Sequence, residues 1–178
     1  ANRMGYLTSV YDPSLTAPAF SVANHYTIGQ FDDYEALSQF VSKCDVVTYE
    51  FENINAEIVK QLSEKYQNIP QGEFPLWMTQ NRMREKEHIV NAGLPVPPIV
   101  MVDNLGDEWL ELPKKLGFPF VVKTSEGGYD GKGQAVIRSQ EDLPSKLSAL
   151  MDCSVIAEAF VDYDFEASII GVRGQNGE

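Results

Sequence analysis

The sequence predicts an α/β chain in two parts: an open parallel-sheet unit, then a mixed unit built around a glycine-rich flap. Three observations carry this expectation. Short apolar strands alternate with amphipathic helices up to Tyr66. A polar connection containing Gly and Pro, Gln71–Pro75, interrupts that alternation. Beyond it, Phe118–Gln134 reads as a strand, a turn with four glycines between Gly127 and Gly133, and the start of a second strand.

In chain order, Tyr6–Tyr11 is a strand ended by the turn Asp12-Pro13, and His25–Ile28 is a second strand. Asp33 can cap a helix that places Tyr34, Leu37 and Val41 on one face. Asp45–Tyr49 is a third strand. Asn55 can cap a further helix whose buried face holds Ile58, Val59, Leu62 and Tyr66. This alternation implies a parallel, open sheet. Ala1–Gly5 reads as the end of a helix with glycine just past it. A doubly wound unit has a strand before such a helix, so the first unit, residues 1–76, is expected to lack its first strand. In the second unit, residues 77–178, Thr79 caps a helix running to Asn91, stopped by Gly93 and Pro95. Arg82, Arg84 and Lys86 make the first half of that helix basic. Pro95–Pro98 leads out in an extended form. An irregular helix over Asn104–Leu116, interrupted at Pro113, precedes a hairpin over 119–138. A helix near Asp142–Met151 and strands over 154–159 and 165–172 complete the unit. Arg173–Glu178 reads as a hairpin turn with no returning strand.

The flap carries the clearest chemistry. Phe120, Val121 and Val122 form a short apolar run with β-branched residues, which suits a buried strand. Glycine permits positive φ and lets backbone N–H groups approach a ligand with no Cβ in the way, and such N–H groups form nests for phosphate oxygens. Lys123 and Lys132 bring positive charge to the same place. A loose hairpin turn needs one or two glycines; four with two lysines favour a phosphate-covering loop. Two other phosphate motifs are excluded. Gly128 and Gly133 have the P-loop spacing, but Gln134 stands where lysine is required. The dinucleotide fingerprint would need glycine at Val136 and would open a helix rather than a strand.

Composition bounds the reading. With 178 residues and 43% hydrophobic residues, one or two ordinary cores can form. No apolar run approaches the roughly 20 residues of a membrane span, and no signal-peptide pattern is present, so no membrane association is expected. Cys44 and Cys153 are too few for a disulfide framework and suggest a reducing, cytoplasmic setting. A net charge of −12 argues against nucleic acid as a partner, but not against a phosphorylated ligand held by local basic residues.

Other candidates are carboxylates. Glu50 and Glu52 lie at the C-terminal end of the third predicted strand, on one face, where ligands of open α/β sheets bind. They could hold a substrate amine or hydroxyls, or serve the following helix N-terminus. Glu158 and Glu166 bracket Ala159–Phe165. A carboxylate there can accept from both ribose hydroxyls and the adjoining backbone can read an adenine edge; solvated strand ends are the alternative, favoured for Asp162 and Asp164. His25 and His88 show no metal-ligand spacing. Cys44 suits the core better than nucleophilic chemistry, and no Ser-His-Asp or Cys-His arrangement is suggested.

The ordered set Tyr49-Glu-Phe-Glu-Asn-Ile54, Asn81-Arg82, Gly128-Tyr-Asp-Gly-Lys-Gly-Gln134 and Glu158-Ala-Phe-Val161 followed by Glu166 resembles the carboxyaminoimidazole ribonucleotide synthetases. These are also called the ATPase subunit of phosphoribosylaminoimidazole carboxylase and belong to the ATP-grasp superfamily. The resemblance covers essentially the whole chain. It implies an open parallel-sheet pre-ATP-grasp domain over 1–76 and the first part of an ATP-grasp fold over 77–178. It also implies a carbon–nitrogen ligase of purine biosynthesis, in which ATP phosphorylates bicarbonate and the carboxyphosphate carboxylates the amine of aminoimidazole ribonucleotide. ATP and Mg2+ are the implied cofactors, and a homodimer is the implied assembly of the complete protein.

By the same resemblance, Arg82, Lys123 and the loop Gly128, Tyr129, Asp130, Gly131, Lys132, Gly133 and Gln134 would hold the ATP phosphates. Glu158, Ala159, Phe160 and Val161 would line the adenine, and Glu166 would take the ribose hydroxyls. Tyr129, Asp130 and Lys123 would be catalytic, with Tyr129 and Asp130 toward the acceptor, and one of Glu50 and Glu52 would contact the ribonucleotide. The family's opening Gly-Gly-Gln-Leu-Gly turn and its magnesium-binding acidic residues have no counterpart in this sequence. No metal ligand is therefore assigned, and the chain by itself is expected to be inactive. Two rival functions are a related ATP-grasp ligase, such as formate-dependent glycinamide ribonucleotide transformylase, and a non-catalytic nucleotide-binding module. A dehydrogenase-like dinucleotide domain lacks its fingerprint. The Tyr129-Asp130 pair favours the carboxylating enzyme over the formate-dependent one, which typically carries serines there.

Overall fold

A computed structural model describes residues 1–103, 106–128, 133–150, 153–172 and 174. By internal contacts the chain divides into two units, Ala1–Trp77 and Met78–Glu178.

In the first unit, β1 (Ser9–Asp12) and β2 (His25–Ile28) run parallel, Ser9 opposite His25 and Asp12 opposite Ile28. Helix α1 (Tyr34–Val41) starts where Asp33 accepts from the Ala36 amide at 3.0 Å, and α2 (Ala56–Tyr66) where Asn55 accepts from Glu57 and Ile58. Both are side-chain caps on otherwise orphaned N–H groups. The apolar faces of the helices meet around Val41, Val59, Leu62, Ile69 and Leu76. Burying a Val or Leu side chain contributes about 1.5–3 kcal/mol, so this cluster holds the unit together. The Ser38 hydroxyl and the Tyr66 phenol share a 2.8 Å hydrogen bond between the two helices.

Residues 45–49, expected as a strand, are in no ladder. The Val47 amide donates to the Asn68 carbonyl, and the side chain of Gln71 accepts from the Tyr49 amide and donates to the Tyr49 carbonyl. One glutamine amide thus satisfies the donor and acceptor that a neighbouring strand would otherwise meet. The predicted N-terminal helix end is a 3-10 turn, Asn2–Met4, followed by Gly5 at φ 85°.

Gln71–Pro75, read as a connection, already begins a helix: α3 spans Phe74–Thr79. The next helix, α4 (Arg82–Asn91), is capped by Asn81 rather than Thr79. Thr79 closes the preceding helix, while Asn81 has the extended backbone a cap requires and accepts from Met83 and Arg84 at 3.0 and 3.2 Å.

The second unit is a four-stranded sheet of order β3 (Ile99–Val102), β6 (Val155–Ala159), β4 (Phe120–Thr124), β5 (Gln134–Ile137), with antiparallel pairing throughout. Strand β3 was not expected beyond the Pro95–Pro98 run; as an edge strand it tolerates prolines at its start. The expected helix before the hairpin is a 3-10 segment, Gly106–Leu110, and then α5 (Leu112–Leu116). Pro113 lies in the first turn of α5, where its missing N–H costs nothing, so it opens a helix instead of interrupting one. Helix α6 (Asp142–Leu147) continues as a 3-10 turn over Ser148–Leu150. The expected strand over 165–172 forms no ladder among the described residues, and Ile169 and Ile170 are almost fully exposed.

The pleat of this sheet separates core from site. Phe120 and Val122 of β4, Val155 and Ala157 of β6, Ile137 of β5 and Val102 of β3 share one face, closed by Leu112, Leu143 and Leu147. Residues one step along each strand face the other way. Val121 lies opposite Glu158, and Lys123 opposite Ile156. The alternation therefore sends Lys123 and Glu158 to the same face, away from the core.

Candidate functional site

Glu158 is a carboxylate on a central strand and only 6% exposed. An unpaired charge at that depth would cost several kcal/mol. Two lysines offset it. Lys123 of β4 donates to Oε2 at 2.8 Å, and Lys86 of α4 brings Nζ to 3.2 Å from Oε1, a charge contact whose angle falls short of a hydrogen bond. Burial alone would raise the Glu158 pKa. The Lys123 hydrogen bond and charge, then the charge of Lys86, outweigh it and hold the carboxyl below its ordinary value. Two ammonium groups around one carboxylate leave this cluster with a net positive charge, which suits an anionic ligand.

The base of the flap is tied to the start of α4. The Arg82 amide donates to the Ser125 carbonyl at 2.9 Å, its Nε to the Thr124 carbonyl at 3.0 Å and its Nη2 to the Gly128 carbonyl at 3.0 Å. Asn81, while capping α4, also donates to Glu126 at 2.9 Å. The Thr124 amide donates to the Gly133 carbonyl at 2.8 Å and closes the hairpin. Gly133 has φ 70°, and a Cβ there would stand 2.8 Å from Thr124 Oγ1. Thr124 Oγ1 is itself buried with no hydrogen-bond partner. A buried hydroxyl without a partner normally costs free energy, so its place at the flap base fits a ligand oxygen.

The expected site residues fall into groups. Lys123 and Glu158 are brought together. Arg82 reaches the flap, but two of its five N–H donors go to backbone carbonyls, so it braces the loop. Gly128, Gly133 and Gln134 flank the turn; Tyr129, Asp130, Gly131 and Lys132 lie outside the described residues. Ala159 and Phe160 use their amides on the Pro98 and Pro119 carbonyls. The Arg138 guanidinium stands 5.9 Å from the centre of the Phe160 ring, and Val161 is exposed. Glu166 is exposed and accepts from the Tyr163 hydroxyl at 2.8 Å, which raises the Tyr163 pKa. No hydrogen bond or ion pair among the described residues joins Glu166 to the lysine–glutamate cluster. Glu50 and Glu52 are exposed residues of the first unit.

Lys86 and Thr124 were not among the expected site residues. Lys86 follows Arg82 by one helical turn, and i, i+4 residues share a helix face; that spacing was the available signal. Thr124 gave none. A nucleotide fits what is present: two ammonium groups, a braced glycine turn and an orphan hydroxyl. Among the described residues no group of three or more His, Cys, Asp or Glu could hold a metal ion. Among the described residues no helix is long and apolar enough to cross a membrane.

Residues 87–178, just over half of the chain, match the family model of the ATP-grasp domain, and residues 1–80 match the ribonucleotide synthetase preATP-grasp domain. The chain is 41% identical over its whole length to an N5-carboxyaminoimidazole ribonucleotide synthase of Staphylococcus aureus (strain MRSA252), covering 47% of that protein. It thus spans about half the length of the curated relatives it matches. Among solved structures, the N5-carboxyaminoimidazole synthetase of Staphylococcus aureus complexed with ADP superposes with a TM-score of 0.85 at 42% identity, over 91% of this chain and 43% of that one. The Aspergillus clavatus N5-carboxyaminoimidazole synthase in complex with ADP and 5-aminoimidazole ribonucleotide superposes with a TM-score of 0.74 at 27% identity, over 92% of this chain and 43% of that one. With a sheet whose outer face pairs a buried glutamate with two lysines, and with an ATP-grasp match over half of the chain behind a preATP-grasp match, the chain belongs to the ATP-grasp domain family.

Proposed function

We propose that this chain is the nucleotide-binding part of a ligase that uses ATP and bicarbonate to carboxylate 5-aminoimidazole ribonucleotide in purine biosynthesis. The observation that carries the reading is the Lys86–Glu158–Lys123 cluster at the base of a braced glycine flap, in a chain 41% identical to N5-carboxyaminoimidazole ribonucleotide synthases.

In the proposed reaction a bicarbonate oxygen attacks the γ-phosphorus of ATP, giving carboxyphosphate and ADP. The substrate amine then attacks the carboxyphosphate carbon, phosphate leaves, and the amine loses a proton. The protein's work in phosphoryl transfer is positioning and charge neutralisation. Lys123 supplies a cation to the phosphates, with Gly128–Gln134 folding over them. Arg82 holds the incoming limb of the flap through the Thr124 and Gly128 carbonyls, so it fixes where the loop starts. Glu158 and Ala159–Val161 line the adenine, and Glu166 takes the ribose. Tyr129 and Asp130 are assigned to the acceptor half of the reaction, and one of Glu50 and Glu52 to binding the ribonucleotide. Magnesium, when bound, would supply further charge neutralisation at the phosphates; among the described residues no group of three or more His, Cys, Asp or Glu could hold it. A cytoplasmic homodimer is the proposed setting.

The test is phosphate release by the full-length protein with ATP, adding bicarbonate and 5-aminoimidazole ribonucleotide singly and together. Release that requires both is expected. Release that needs formate and glycinamide ribonucleotide instead would replace this reading with the formate-dependent one.

A further inference from the structure

Lys123 has two claims on it. It donates to Glu158 at 2.8 Å, and the proposed function, on which this inference rests, asks it to neutralise phosphate. A carboxylate with a single cation holds that cation tightly when both are shielded from water. Here the other oxygen of Glu158 faces Lys86, whose side chain is 18% exposed against 25% for Lys123. The two ammonium groups come from different elements, α4 and β4, and take opposite oxygens of one carboxylate.

We infer that Lys86 is a positioning residue that acts through Glu158: by sharing the carboxylate's charge it frees Lys123 to engage the nucleotide phosphates. Lys86 need not touch the nucleotide. Its place one turn after Arg82 means that α4 serves the site twice, bracing the flap with one residue and balancing Glu158 with the other. Without Lys86, the whole field of Glu158 falls on Lys123, and the lysine's contact with phosphate weakens. Adenosine, which carries no phosphate, is indifferent to that competition.

The experiment measures ADP and adenosine binding by calorimetry on the full-length protein and its Lys86→Met, Lys86→Arg, Glu158→Gln and Lys86→Met/Glu158→Gln variants. Lys86→Met should weaken ADP on the order of tenfold, the scale of a partly buried charge pair. Adenosine should change by less than about twofold. Lys86→Arg, which keeps the charge, should bind ADP within about threefold of the parent. With Glu158→Gln already in place, adding Lys86→Met should change ADP affinity by less than about twofold, because the competition is gone. Equal losses for ADP and adenosine would overturn the inference by making Lys86 a purine contact or a packing residue. So would additive losses in the double variant, or unchanged ADP binding by a folded Lys86→Met protein. If the parent bound no adenine nucleotide, the proposed function would fall and the inference with it. A parent that binds ADP with a silent Lys86→Met variant would remove the inference alone.

Discussion

Gly127 and Gly133 frame the flap and offer a controlled pair of substitutions. Both have a left-handed backbone, φ 74° and 70°. A Cβ at Gly127 would meet nothing within 4 Å, whereas one at Gly133 would stand 2.8 Å from Thr124 Oγ1 and 3.4 Å from its methyl carbon. Gly127→Ala should therefore carry only the dihedral cost, roughly 1–2 kcal/mol for an L-residue in that region. Gly133→Ala adds an overlap with the buried Oγ1 of half-buried Thr124, and overpacking of that kind costs about 1–3 kcal/mol. The difference between the two variants is expected to be about 1 kcal/mol or more, and Thr124→Ala should abolish it. The assay is urea unfolding followed by Trp109, which packs against the core of the second unit, in a Trp77→Phe background. Equal destabilisation by the two alanines, or a Gly133 penalty that survives Thr124→Ala, would refute the close approach of strand end and turn.

Three further outcomes are expected. Glu158→Gln should destabilise the protein by about 1.5–3 kcal/mol at neutral pH, since it removes the charge from the hydrogen bond and ion pairs that Lys123 and Lys86 make to this carboxylate. The folded pKa of Glu158 is depressed, so the parent's advantage should be full above about pH 5 and shrink as pH falls below about 4.3; urea midpoints across that range check it, and a gap independent of pH would contradict the ion pairing. Asn81→Ala should cost about 1 kcal/mol of stability through the lost cap and should also raise hydrogen exchange at the Arg82 amide, because Asn81 tethers Glu126 as well; exchange identical to the parent would place the flap brace elsewhere. Glu166→Ala in the full-length protein should weaken ATP about tenfold and leave 5-aminoimidazole ribonucleotide binding nearly unchanged; calorimetry with each ligand separates the two, and unchanged ATP binding would return Glu166 to a surface role.

What was legible in the sequence is what local chemistry decides. Asp33 and Asn55 cap helices because a short polar side chain reaches amides two or three residues away, and both helices begin there. The hairpin around the flap was legible because its apolar strands and glycines are adjacent in the chain. Interactions across distance were not. Gln71 replaces a strand for Tyr49 from 22 residues away, which no alternation of apolar residues reveals. The Pro95–Pro98 run obscured the edge strand that follows it. Over 165–172 the apolar pattern suits a strand, yet a strand exists only with a ladder partner, and none is found among the described residues. Within the site, the glutamate and one lysine were named separately, but their 2.8 Å contact joins positions 35 residues apart and depends on strand register. Lys86 was seen only as part of a basic helix face, since sequence does not say which carboxylate that face meets.

The central claim is that nucleotide bound at this cluster passes its phosphoryl group to bicarbonate before carbon reaches the amine. Bicarbonate labelled with oxygen-18 tests it most directly. The full-length protein is supplied with ATP, labelled bicarbonate and 5-aminoimidazole ribonucleotide, and the released phosphate is analysed by mass spectrometry during early turnover. Attack of a bicarbonate oxygen on phosphorus leaves that oxygen in the phosphate when the amine displaces it. One labelled oxygen in each phosphate, formed in step with the carboxylated product, is the predicted result. Phosphate carrying only solvent oxygen, or carboxylated product formed without labelled phosphate, would contradict the account.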